Sequence, residues 1–111
     1  MPNFEDLRLI DLLERFEEDI NEIYLTRSLK TFKRAGENLQ SVYNFYVTAQ
    51  NPFKEQEELF KNLCSSFNYA AVIINDALKR GGLSKDDNGL LNDCIEIMLA
   101  CCEKLKLMLK N

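Results

Sequence analysis

The apolar residues of this chain recur at helical spacing, and the pattern is broken in three places; those breaks constrain the fold more than any other feature. The strongest is Gln50-Asn51-Pro52, where Asn51 can cap a helix and Pro52 suits the first helical position, at which a missing N–H costs nothing. At Lys79-Arg80-Gly81-Gly82 two cations precede two glycines, the signature of a helix end closed by a left-handed residue. The third break is a phase jump. A stripe through Leu9, Leu13, Phe16, Ile20, Ile23 and Tyr24 would need apolar residues at Arg27 and Lys30 to continue, and a new stripe runs instead through Leu25, Leu29, Phe32, Leu39, Tyr43 and Tyr46. The chain therefore turns between Thr26 and Ser28, either of which can serve as an N-cap.

Three breaks leave four helices, over about 4–25, 28–49, 52–80 and 85–110. Asn3 caps the first, with Glu5 and Asp6 at the positive end of its dipole, and Ser84 with Asp87 three residues on resembles a capping box for the fourth. Helices of about 20 residues are about 30 Å long, and short loops between them make neighbours antiparallel. The expected fold is all-α, an antiparallel up-down four-helix bundle, as a single domain over residues 1–111. No repeat or low-complexity segment argues otherwise.

Composition narrows the function classes. Fourteen basic against eighteen acidic residues give a net charge of −4, without the basic excess that phosphate backbones reward. The opening MPNFEDLRLIDLL is acidic and amphipathic, unlike a secretory signal or a transit peptide, and the expected location is cytoplasmic. The apolar C-terminal run is crossed by Glu96, Glu103, Lys104 and Lys106, so no membrane span is expected.

Four cysteines, Cys64, Cys94, Cys101 and Cys102, form neither a disulfide framework nor a CxxC pair, and the chain has no histidine. Adjacent helical residues point about 100° apart, so Cys101 and Cys102 cannot both face one ion. The acidic residues Glu14, Glu17, Glu18, Asp19 and Glu22 include i,i+4 pairs, but carboxylate-bridged bundles also need histidine. No metal and no cofactor are expected; the thiols read as core filler, and the acids as partners across a hairpin, Glu22 with Lys30, Asp19 with Lys33 and Glu18 with Arg34.

Catalysis has little to stand on, because no nucleophile has an evident base and Gly81-Gly82 follows a helix, unlike a phosphate-binding loop. The expected function is a non-catalytic protein-interaction module, a small regulatory or assembly subunit acting on a protein partner or by self-association. Its candidate contacts are apolar residues projecting off the stripes: Leu99 and Leu107, which fall among the charges of the fourth helix, and Phe45 on the second. The alternative is an apolar, lipid-like molecule held between the third and fourth helices near Cys64, Ala71, Met98 and Cys101. A third reading, disfavoured by net charge, is contact with nucleic-acid phosphates through Arg27, Lys30, Lys33 and Arg34.

Overall fold

Each helix is closed by the chemistry of its ends. In the computed structural model, which describes residues 3–48 and 54–110, α1 (Phe4–Thr26) begins with a complete capping box: the Asn3 side chain accepts from Asp6 N–H at 2.8 Å while the Asp6 carboxylate accepts from Asn3 N–H at 3.3 Å. Arg27 then takes the left-handed conformation, φ 54°, and its N–H closes on the Ile23 carbonyl at 2.9 Å. Ser28 starts α2 (Leu29–Thr48), its hydroxyl accepting from Thr31 N–H. Thus Ser28 is the cap, and Thr26 holds the turn by accepting from Ser28 N–H.

α3 (Lys54–Arg80) ends in a Schellman arrangement, with Gly82 N–H on the Ala77 carbonyl, Gly81 N–H on Leu78, and Gly81 at φ 97°. Ser84 and Asp87 form the anticipated capping box of α4 (Lys85–Lys110), and Arg80 reaches forward to both Asp87 oxygens. The Ser84 backbone N–H, followed by Arg80, holds the Asp87 carboxyl below the usual range. The Asn51-Pro52 start expected for the third helix lies outside the described residues.

The four helices form the expected antiparallel bundle, with no strand among the described residues. It is elongated, 48 × 22 × 20 Å. Around the ring α1 neighbours α2 and α4, and α3 neighbours α4, while α1/α3 and α2/α4 lie on diagonals. Polar ties fix two of these seams. Between α1 and α2 the buried Asp19 carboxylate accepts from Arg34 Nε at 2.9 Å and from the Asn38 amide, and Glu22 accepts from Arg34 and Thr31. Between α1 and α4, Arg27 donates to the Asn88 and Asn92 side chains, and Glu17 pairs with Lys106 at 2.7 Å.

The hairpin pairing differs from the expected one. Lys30 and Lys33 stand exposed, whereas one arginine two turns into α2 binds both Asp19 and Glu22. A guanidinium presents its donors in a fixed planar fork, so that one side chain holds two carboxylates in set directions. On α2, Thr31, Arg34 and Asn38 face α1 and Lys33 projects off that side, while Lys30, one turn before Arg34, extends into solvent.

Leu13, Phe16, Ile20, Val42, Leu63, Leu91, Met98, Cys102 and Leu105 are the largest of the innermost side chains. Phe67 of α3 ties three helices together: it stacks on Phe32 of α2 at 4.7 Å and meets Phe16 of α1 at 6.1 Å. Gly36 makes that stack fit, since a Cβ there would lie 3.2 Å from the Phe67 ring.

Candidate functional site

The fourth seam, between α2 and α3, is the loosest of the ring. Its cause is visible along α2. Ala35, Leu39, Val42 and Tyr46 form a buried stripe, and a second apolar arc, Leu29, Phe32, Tyr43 and Val47, lies about a quarter-turn away, facing α3. α3 answers with small or polar side chains, Cys64, Asn68 and Ala71, between its larger residues. Among the described residues the helices touch where rings bridge them, Phe32 on Phe67 and Tyr46 on Phe60 at 4.1 Å.

Three hollows follow the seam from end to end. At the end holding both tight turns, a cavity of about 220 Å³ is lined mainly by Ile23, Leu29, Phe32, Ile74, Leu78 and Leu91. Midway is a more polar hollow of about 370 Å³ beside Gly36, Gln40, Tyr43 and Asn68. Near the far end a third, of about 350 Å³, lies between Tyr43, Val47, Phe60 and Lys61. Leu29, Leu78, Tyr43 and Val47 on its rim are each about half exposed. This is a groove about 27 Å long, from Leu29 to Val47 at the helical rise, with apolar ends and a polar middle.

The residues singled out by sequence are scattered across other seams. Leu99 is half-buried in the α1/α4 seam, packed on the core, because it lies seven residues from both Asn92 and Lys106, which reach across to α1. Phe45 is likewise half-buried against the core on the α1 side of α2, where it shares a shallow hollow with Leu12 and Asn38. Leu107 alone is exposed, at 54%, on the outer side of α4. The three do not form one patch.

Of the residues expected around an apolar cavity, Met98 and Cys101 are sealed in the core, while Cys64 lines the α2/α3 groove. The hollows beside Cys64 therefore lie on the α2 side of α3, whereas the expected location was between α3 and α4. α3 and α4 are the most closely packed pair, since small residues on α3, Ala70 and Ala77, allow α4 to approach.

Among the four cations, the arginines have structural partners. Arg27 is held by Asn88, Asn92 and the Ile23 carbonyl and lies 6.0 Å from the Tyr24 ring centre; Arg34 is held by Asp19 and Glu22. Lys30 and Lys33 take no ion pair among the described residues.

The thiols are not arranged for chemistry. All four cysteines are free, and burial pushes each thiol above its usual range, Cys102 furthest, with the Glu17 carboxylate adding to the effect. A protonated thiol is a poor nucleophile and a poor metal ligand. Among the described residues no three His, Cys, Asp or Glu side chains gather as a metal site requires, and no helix is long and apolar enough to cross a membrane.

Sequence arithmetic alone could have found the groove: the apolar arc of α2 is too wide for one buried stripe, and its excess, Leu29, Phe32, Tyr43 and Val47, is the groove wall. Comparison with protein-family models, with curated proteins and with solved structures finds no match to this chain.

Proposed function

We propose that this chain is a non-catalytic protein-interaction module, a small regulatory or assembly subunit, whose working surface is the α2/α3 groove. The observation that carries this reading is the second apolar arc of α2, left half exposed along the loosest seam of the ring. The occupant that suits it is an amphipathic helix, which presents apolar side chains at the same spacing as the arc. Acidic flanks suit the α2 side of the groove, where Lys30 and Lys33 stand exposed without an ion pair among the described residues, whereas Lys61 on the α3 side is paired with Glu57. Four free thiols support a reducing, cytoplasmic location.

Affinity purification from the native cell tests the proposal when wild type is compared with Leu29→Asp/Tyr43→Asp/Val47→Asp. All three side chains are about half exposed and lie outside the buried core, and unchanged thermal unfolding shows that the variant folds. Proteins retained by wild type should be lost by the variant; an unchanged set of partners contradicts the groove as the working surface.

A second reading rests on the end cavity. Its volume of about 220 Å³ and its largely apolar lining suit a small apolar ligand. An engineered apolar cavity of about 150 Å³ in another protein holds a benzene ring. Native mass spectrometry of freshly purified protein distinguishes this reading: a ligand should add mass that Leu78→Trp, a larger side chain at the half-exposed rim of the cavity, removes.

A further inference from the structure

The α2/α3 groove has a matching surface within this same chain. On the solvent side of α1, residues at the 4-3-4 spacing of a helical face read Leu7, Asp11, Glu14 and Glu18, and the same face ends at Leu25. Leu7 is 54% exposed and Leu25 78%. Between these leucines are carboxylates: Asp11 pairs only with the exposed Arg8 and Arg15, and Glu14 and Glu18 make no ion pair among the described residues.

This stripe and the groove correspond feature by feature. Leu7 and Leu25 are 18 residues apart, and so are Leu29 and Val47, about 27 Å in each case. Each surface is apolar at its ends and polar in its middle. Where the stripe carries acids, the α2 wall of the groove carries the exposed Lys30 and Lys33, unpaired among the described residues, and Lys61 lines the groove beside its i,i+4 partner Glu57. The charge difference extends to whole helices: α1 has eight acidic residues against Arg8 and Arg15, whereas α2 has Lys30, Lys33 and Arg34 against Glu37.

Within one chain these surfaces cannot meet. α1 and α3 lie on a diagonal of the bundle, and the Leu7 to Leu25 stripe faces away from it. We infer that the groove receives α1 of a second copy, Leu7 and Leu25 entering its two apolar ends while Asp11, Glu14 and Glu18 lie along the lysines. This rests on the reading of the α2/α3 groove as the docking surface and names the occupant. The two surfaces differ, so the contact is head to tail: a copy that gives its α1 still has an open groove, and association continues beyond a pair unless a ring closes.

Sedimentation of the purified chain from about 1 μM to about 1 mM, the span of weak to moderate affinities, tests the inference. Wild type should grow in average mass past a dimer, and added salt should weaken association at least several-fold, as paired surface charges require. Leu7→Ser/Leu25→Ser and Tyr43→Ser/Val47→Ser alter side chains outside the core, and unchanged thermal unfolding confirms that each variant folds. Each alone should remain monomeric. Mixed, they should form a 1:1 complex and stop there, since one retains the groove and the other the stripe. A wild type that stays monomeric throughout, variants that associate like wild type, or a mixture that stays monomeric each overturns the inference. If the chain is monomeric while partner retention in cells still depends on Leu29, Tyr43 and Val47, the occupant is wrong and the groove stands.

Discussion

Cys102 shows how a single side chain sets a property of the whole. Its thiol is fully buried against Glu17 and Cys101 and is held well above its usual range. In the unfolded chain a thiol ionises near pH 8.5. Between that value and the raised folded value, unfolding releases a proton, so stability is complete below about pH 8.5 and falls as pH rises. The other three cysteines act in the same direction. Lys106, raised chiefly by its hydrogen bond to Glu17, adds to the decline only above the ordinary lysine range. Urea unfolding at a series of pH values should show falling stability from pH 8 to 10. For Cys102→Ala that fall should be shallower by up to one proton's worth, about 1.4 kcal/mol per pH unit. An unchanged slope means that Cys102 ionises as freely in the folded chain as in the unfolded one.

Gly36 poses a finer balance. In a helix interior, alanine is favoured over glycine by about 1 kcal/mol. Here the added methyl meets the Phe67 ring at 3.2 Å, and that ring is held between Phe32 and Phe16. The two effects oppose each other, so Gly36→Ala should change stability by less than about 1 kcal/mol in the wild type and should stabilise by about 1 kcal/mol in a Phe67→Ala background. Equal effects in both backgrounds contradict a steric role for Phe67.

Between elements, polar ties matter according to what they leave behind when cut. Arg34→Ala removes the main partner of a carboxylate that is 4% exposed, leaving Asp19 with Asn38 alone, and should cost about 1–3 kcal/mol. Arg8→Ala breaks only an exposed i,i+3 pair and should cost less than about 1 kcal/mol. Chemical denaturation of both variants checks the order, and a reversal would mean that Asp19 is satisfied without Arg34. The same contrast explains what the sequence made legible. Helix limits were readable because caps are local: Asn3 with Asp6, Ser84 with Asp87, and Gly81-Gly82 act within five residues. The partners of Asp19 were not, because they depend on the rotation of α2 against α1 and on the reach of arginine over lysine, which one helix considered alone does not contain.

Over the whole molecule the same limit decided the candidate site. Periodicity separates apolar from polar faces, and it placed Leu99 and Phe45 outside the buried stripes. A helix in a bundle, however, has two flanking seams as well as a core face, and both residues fall into seams. Which seam closes depends on all four helices together: α3 packs closely on α4, and the space is left on its other side, toward α2. That opening is the central structural claim, and Cys64 probes it because it lines the groove while Cys94, Cys101 and Cys102 are enclosed. The direct measurement is alkylation of the dilute native chain by neutral N-ethylmaleimide, followed at each thiol by mass spectrometry. An open groove predicts that Cys64 is modified first, well ahead of the other three and furthest ahead of Cys102; a Cys64 as slow as Cys102 would mean that α2 and α3 close on each other and that no groove exists.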